Sequence, residues 1–178
     1  YNTVDFFLLA DTQIIIVIPE PTSIENAYRF IKNSFYRQIL HNSEKFRMKS
    51  TIKNILRKDN PFNINTPKQL IAYMNQLGGN AEVFIEEQQQ LFMPSIILNQ
   101  VRSEKEKKIG VAMEKACLKY FNLNVKISGY LDFDETVRQS VIDREPLAKN
   151  SLESGPVKQL SIICEKLLKE EKEGTKKN

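Results

Sequence analysis

Polar residues stand at the carboxyl ends of three apolar segments that predict strands. These ends are the loop Pro19-Glu20-Pro21, Asn99, and the segment Gly129–Asp134. Because ligands of open parallel sheets bind at the carboxyl ends of the strands, these positions are candidates for a binding site. The amide of Asn99 offers one acceptor and two donors, which match the N–H donor and ring-nitrogen acceptor at the edge of adenine. The alternative is a solvated asparagine that closes a loop.

The sequence offers no pattern for other common chemistries. The single histidine, His41, falls in a polar helix end, so no Ser–His–Asp or Cys–His arrangement can be built on it. Neither GxxxxGK[ST] nor GxGxxG occurs. Helix caps and solvated turns explain most of the acidic residues near the strand ends, which are Asp11, Glu20, Asp132, Asp134 and Glu135. A metal site among them is the minor alternative, since carboxylates alone indicate a metal with low specificity. Cys117 and Cys164 lie in amphipathic patterns without a CxxC, which predicts two buried thiols and no metal or iron–sulfur site.

The composition is that of a globular domain. A chain of 178 residues can bury a core, and its apolar fraction of 41% and charged fraction of 27% agree with this. The formal net charge of +4 permits contact with acidic lipid or nucleic acid but does not require it. No apolar run is long enough for a membrane-spanning helix. The start "YNTVDFFLLADTQ" has no basic segment and no small-residue cleavage site, so we expect no signal peptide.

Hydrophobic periodicity predicts strands that alternate with helices. The strands are expected at Gln13–Ile18, Ser95–Val101 and Val125–Leu131. The first is apolar without alternation, which predicts a parallel strand covered on both faces. Helices are expected at Val4–Leu9, from a Thr22 cap to His41-Asn42, over about 18 residues after the second strand, after an Asp134 cap, and at Ser154–Glu171. The fold class is therefore α/β, with a parallel sheet and flanking helices.

One interval breaks the alternation. Between the first two strands, the segment of residues 43–93 is far longer than an ordinary connection between secondary-structure elements. They contain three helical patterns, Phe46–Lys58, Thr66–Leu77 and Ala81–Phe92, separated by Asn60-Pro61 and Gly78-Gly79. We interpret them as a helical insertion in an α/β core made of residues 1–42 and 94–170, followed by a polar tail at 171–178. The glycine pair is expected to cap a helix.

The first helix of the insertion carries a basic stripe. Lys45, Lys49, Lys53 and Arg57 are spaced by four, which places them on one helical face opposite Met48, Ile52, Ile55 and Leu56. A basic amphipathic helix can bind anionic lipid or nucleic-acid phosphates. The alternative is a solvated face on an ordinary packed helix.

Three segments occur in the order found in a known family. They are "DFFLLADTQIIIVIPEPTSIENAYRFIK", "IILNQVR" and "GYLDFDETVRQSVIDREPL". Together they resemble the C-terminal half of the MinD/ParA family of P-loop ATPases, in particular the branch of MinD-like proteins and the flagellar-number regulator FlhG. The resemblance covers about Val4–Lys32 and Ser95–Leu168, while the insertion departs from the compact pattern of the family. It implies the C-terminal half of a P-loop NTPase fold.

The resemblance also implies roles for particular residues. Asn99 matches the asparagine that contacts adenine, and Arg102, in the same motif, would flank the base. The walls of the base pocket would be Pro19, Glu20, Pro21, Pro146 and Leu147. The phosphate loop and the switch regions, which carry out hydrolysis in this family, have no counterpart here. We therefore expect a missing part upstream of Tyr1, no catalytic residue in this chain, and no hydrolysis of ATP by this chain alone.

The implied ligands and partners follow from the same resemblance. ATP and Mg²⁺ would bind only with the missing part present. Members of the family dimerise with ATP between the subunits, and the ATP-bound dimer binds a membrane, DNA or a partner protein that stimulates hydrolysis. This implies a cytoplasmic switch that regulates flagellar number or placement, cell division or chromosome partitioning, with contact at the inner membrane face as a further option. The alternative is an ATP-independent interaction module, or a remnant half-domain, that binds a protein through the insertion.

Overall fold

The computed structural model describes residues 3–57, 59–150 and 153–175. Three strands form one parallel sheet in the order β1-β2-β3. The strands are β1 (Ile14–Val17), β2 (Ser95–Val101) and β3 (Lys126–Asp132). The α-helices are α1 (Thr3–Leu9), α2 (Pro21–Asn42), α3 (Lys49–Ile55), α4 (Pro67–Leu77), α5 (Asn80–Leu91), α6 (Glu104–Ala116), α7 (Glu135–Asp143), α8 (Leu147–Asn150) and α9 (Gly155–Thr175). A π-helical segment, Cys117–Phe121, continues α6. The predicted α/β class with a parallel sheet is confirmed.

The two faces of the sheet carry different helices. Two rows of aligned residues cross it, Val17–Leu98–Tyr130 and Ile16–Ile97–Gly129. The ring of Tyr130 lies against Gly110 of α6, whereas Ile163 of α9 packs on Gly129. Because successive strand residues point to opposite faces, α6 and α9 lie on opposite faces of the sheet.

Strand β1 is covered on one face. Ile15 and Val17 are buried in the core with α2, while Ile14 and Ile16 are exposed, Ile16 to 64%. The prediction that this strand is covered on both faces is therefore wrong for the described part of the chain. A continuous apolar run is compatible with burial of both faces of a strand, but it does not show that a helix packs on each face.

The helices of residues 43–93 share a core with α2. Phe35 of α2 packs on Phe92 with ring centroids 5.3 Å apart. Beside it, Gln38 Nε2 donates a 3.0 Å hydrogen bond to the Gln88 carbonyl, and Asn42 Nδ2 donates one of 2.7 Å to Gln88 Oε1. Buried polar groups are costly unless they are paired, so this network favours one arrangement of α5 on α2.

Several helix ends differ from their predicted positions. Helix α2 begins at Pro21 with Glu20 as its N-cap, so the predicted Thr22 cap is wrong. Proline suits the first helical position because its missing N–H has no partner there. Gly78 and Gly79 follow α4 with φ of 65° and 57°, which confirms the glycine cap. Helix α9 ends at Thr175, and the last three residues of the predicted tail, with Tyr1, lie outside the described residues.

Candidate nucleoside-binding site

A cavity of about 370 Å³ opens at the carboxyl ends of β2 and β3. It is lined by Val101, Arg102, Ser103, Glu104, Lys107, Asp132 and Phe133. Its volume falls in the range of roughly 300–1,000 Å³ that is usual for small-ligand sites. The location is the one that open parallel sheets use for ligands, as the sequence predicted from its strand ends.

The end of β2 contains a bulge beside this cavity. Leu98 aligns with Tyr130 and Val101 with Asp132, so β2 carries one residue more than β3 over this interval. Gln100 adopts the left-handed φ of 58°, and its N–H donates a 2.9 Å hydrogen bond to Asn99 Oδ1. A left-handed φ is uncommon for a non-glycine residue, and Gln100 is one of five such residues in the described part of the chain. The bulge was not predicted from the sequence, although a polar Asn-Gln pair in an apolar strand is a signal for it.

Arg102 and Phe133 form a stacked pair on the cavity wall. The Arg102 guanidinium carbon lies 3.6 Å from the centroid of the Phe133 ring. The backbone on both sides is fixed: Phe133 N–H donates a 2.7 Å hydrogen bond to the Val101 carbonyl, and Arg102 N–H donates one of 2.7 Å to Glu106 Oε2. A guanidinium held on an aromatic face presents a flat cationic surface to the cavity. Arg102 is thus placed in the site, and Phe133 is a partner that the sequence analysis did not identify.

One lysine links two acidic residues of the cavity. Lys107 Nζ lies 2.6 Å from Glu104 Oε1 and 3.8 Å from Asp132 Oδ1. The hydrogen bond to Glu104 raises the pKa of Lys107 above its ordinary value, and the charge of Asp132 adds to the effect. Lys107 therefore stays charged at neutral pH. The sequence analysis missed Lys107 and Glu104, although their i, i+3 spacing directly after a strand end was a signal.

The residues after the cavity begin α7 as predicted. Asp134 is the N-cap, and its Oδ1 accepts a 2.8 Å hydrogen bond from Thr136 N–H. It also accepts one of 2.6 Å from the Thr136 hydroxyl, and these two bonds lower the pKa of Asp134. Since hydrogen bonds to the charged form favour it, the cap is complete at neutral pH and is lost as the pH falls through this lowered pKa.

The other predicted pocket residues lie outside the lining of this cavity. Asn99 is half-buried in the bulge. The β1 loop contributes Pro19, which is half-buried, with Glu20 and Pro21, which are exposed; Pro146 is exposed and Leu147 is half-buried at the start of α8. Of the residues predicted to surround a base, Arg102 lines the cavity, and Asn99 lies two residues before the first lining residue, Val101.

The predicted basic stripe does not lie along one helix. Lys45 falls in the turn before α3, only Lys49 and Lys53 are helical, and Arg57 follows the helix. Lys49 pairs with Glu44 at 3.0 Å and Arg57 with Asp59 at 3.1 Å, which reduces their net positive field. The predicted helix Phe46–Lys58 is thus shortened, because Arg47 has a left-handed φ of 58°. Its predicted end, Lys58, lies outside the described residues.

The two cysteines have different environments. Cys117 is fully buried, and burial raises the pKa of its thiol to about 12. Cys164 of α9 is exposed, so the prediction of two buried thiols is wrong for Cys164. Among residues 3–57, 59–150 and 153–175, no group of three or more His, Cys, Asp or Glu side chains could hold a metal ion. No helix in the same ranges is long and apolar enough to cross a membrane.

The chain matches no model of a known protein family, and a search of curated proteins gives no match either.

Proposed function

We propose that this chain provides the nucleoside-binding side of an ATP-dependent switch of the MinD/ParA type. The observation that carries the proposal is the cavity at the carboxyl ends of β2 and β3, where Arg102 stacks on Phe133. The three parallel strands would form one side of a P-loop NTPase sheet. Support comes from the position of the cavity, from its size, and from the order of the three sequence motifs.

The cavity offers the groups that a nucleoside requires. The guanidinium of Arg102 provides a flat surface on which a base can stack. The carboxylates of Glu104 and Asp132 can accept hydrogen bonds from an amino group or a sugar hydroxyl. Asn99, in the adjacent bulge, has an amide that can pair with the edge of adenine once it exchanges its bond to Gln100 N–H for the ligand.

The phosphate side of the site is proposed to lie outside these 178 residues, since they contain no GxxxxGK[ST]. With that part present, Mg²⁺ and the phosphates would bind there, and hydrolysis would reset the switch. The chain's own residues would bind and orient the nucleoside. As in the family it resembles, the ATP-bound form would be a dimer that binds a membrane, DNA or a partner protein.

One observation favours a second candidate, an interaction module that needs no nucleotide. Ile14 and Ile16 expose apolar surface on the uncovered face of β1, and exposed apolar patches often mark binding sites. Such a module would bind its partner equally well with and without ATP, so nucleotide binding separates the two candidates.

The proposal is tested by equilibrium binding of ATP to the complete protein. We expect Asn99→Ala to weaken binding by about 1–3 kcal/mol, because a buried hydrogen bond is lost. Arg102→Ala should weaken binding by about 0.5–2 kcal/mol through loss of the stacking surface. Arg29→Ala is the control, because Arg29 is an exposed residue of α2 paired with Glu25. Unchanged affinity in both site variants, or no binding of ATP to the wild type, would contradict the proposal.

A further inference from the structure

Helix α9 is joined to the cavity wall by one reciprocal pair of hydrogen bonds. Gln159 Nε2 donates a 2.8 Å bond to Asp132 Oδ2, and Asp132 N–H donates a 2.9 Å bond to Gln159 Oε1. Asp132 is the last residue of β3 and lines the cavity. One carboxylate therefore belongs both to the attachment of α9 and to the wall of the site.

The two oxygens of this carboxylate face different groups. Oδ2 accepts from Gln159, while Oδ1 lies 3.8 Å from Lys107 Nζ on the cavity side. Oδ1 is therefore the oxygen on the side of Lys107, which also lines the cavity. The position of Oδ1 depends on the orientation of the carboxylate, and the hydrogen bond that Oδ2 accepts from Gln159 holds that orientation.

Helix α9 is also attached to the sheet by side-chain packing and by one further hydrogen bond. Among its described side chains, Pro156 and Ile163 are buried, and Lys166 Nζ donates a 2.8 Å bond to the Ile127 carbonyl. The helix exposes Leu160, Ile162 and Leu168. The pair between Gln159 and Asp132 adds two hydrogen bonds to this packing and so contributes to what keeps α9 on β3.

We propose that docking of α9 and occupancy of the cavity are coupled through Asp132, with Gln159 as a positioning residue. This inference rests on the proposed function and adds its regulation. A nucleoside amino or hydroxyl group that donates to Oδ1 holds the carboxylate in the orientation that Gln159 requires. The coupling is therefore positive, and linkage makes it reciprocal: ATP stabilises docked α9, and docked α9 tightens the binding of ATP. Whether α9 is docked on the surface of β3 therefore depends on whether the cavity holds a nucleoside.

The test is amide hydrogen exchange of the complete protein with and without ATP, followed by mass spectrometry. In the wild type, ATP should slow exchange in α9 by about threefold to tenfold, the factor expected for one or two coupled hydrogen bonds. In Gln159→Leu, which keeps the volume and removes both bonds, α9 should exchange faster without ATP and should not respond to ATP. Its dissociation constant for ATP should rise by about the same factor, because the coupling is reciprocal.

Lys158→Ala is the matched control. Lys158 lies next to Gln159 on α9, it forms an ion pair with Glu153, and neither residue lines the cavity. This variant should respond to ATP as the wild type does. If ATP binds the wild type but leaves exchange in α9 unchanged, the inference is overturned and the proposed function stands. If ATP does not bind the wild type, the proposed function and the inference fall together.

Discussion

At the scale of single residues, the wall of the cavity depends on the contact between Arg102, which follows β2, and Phe133, which follows β3. The strand end and the asparagine–arginine motif of the sequence pointed to Arg102 but not to Phe133, because the contact depends on how β2 and β3 are aligned. That alignment includes two register shifts. A bulge is set by backbone geometry that hydrophobic periodicity does not report.

The cysteines provide a prediction at this scale. A maleimide added to the native protein at neutral pH should modify Cys164 and leave Cys117 unmodified. Cys117 is buried with a raised pKa, so its reaction requires opening of the structure and should be slower by roughly 100-fold or more. Peptide mapping after short labelling measures both rates, and labelling in denaturant is the control. Equal rates in the native protein would contradict the burial of Cys117.

The same residues show the limit of helical patterns. Both cysteines lie at apolar positions of amphipathic segments, and the sequence analysis treated them alike. Cys164 is exposed because α9 lies on β3 through the stripe that contains Pro156 and Ile163, and the rest of its apolar surface remains outside the contact. Periodicity identifies an apolar face, but it does not show how much of that face another element covers.

At the scale of elements, the contact between α9 and β3 depends on a residue without a side chain. A Cβ built on Gly129 would overlap Cγ1 and Cδ1 of Ile163. Gly129 does not have a left-handed backbone, so its role is to permit close approach. The sequence showed a glycine within a strand but could not name the helix that packs on it.

Replacement of this glycine gives a test of the contact. Gly129→Ala should lower the free energy of unfolding by roughly 1–3 kcal/mol and loosen α9, because the added methyl displaces Ile163. Chemical denaturation measures the first effect and hydrogen exchange the second. Gly155→Ala is the control, because a Cβ there meets no atom within 4 Å.

A double substitution tests whether Gly129 and Ile163 contact each other. Adding Ile163→Ala to Gly129→Ala removes the clash. The double variant should therefore lose less free energy of unfolding than the sum of the losses in the two single variants. Additive costs would mean that the two residues do not interact in the folded protein.

Helix boundaries were predicted where local chemistry determines them. The Asp134 cap and the glycines after α4 were identified, because a capping side chain and a positive φ act within a few residues. The first helix of residues 43–93 was predicted too long. A turn at Arg47 precedes it, and beside this turn Phe46 packs on Phe84, a tertiary contact that local patterns do not contain.

At the scale of the whole molecule, the sheet is open on one side. The α6 face is continuous with the core formed by α2, α4 and α5, whereas the other face is covered over β3 and uncovered over β1. The alternation of strands and helices was enough to predict a parallel sheet. It was not enough to predict which face of each strand is covered, because that depends on where the connections cross.

At the same scale, we propose that the base of ATP lies in the cavity between the ends of β2 and β3. The most direct measurement is photo-affinity labelling of the complete protein with 8-azido-ATP, followed by mapping of the labelled peptides. We expect the label in peptides that contain Arg102 or Phe133, and an excess of ordinary ATP should abolish it. Labelling that avoids both peptides, or that ATP does not compete away, would contradict the claim.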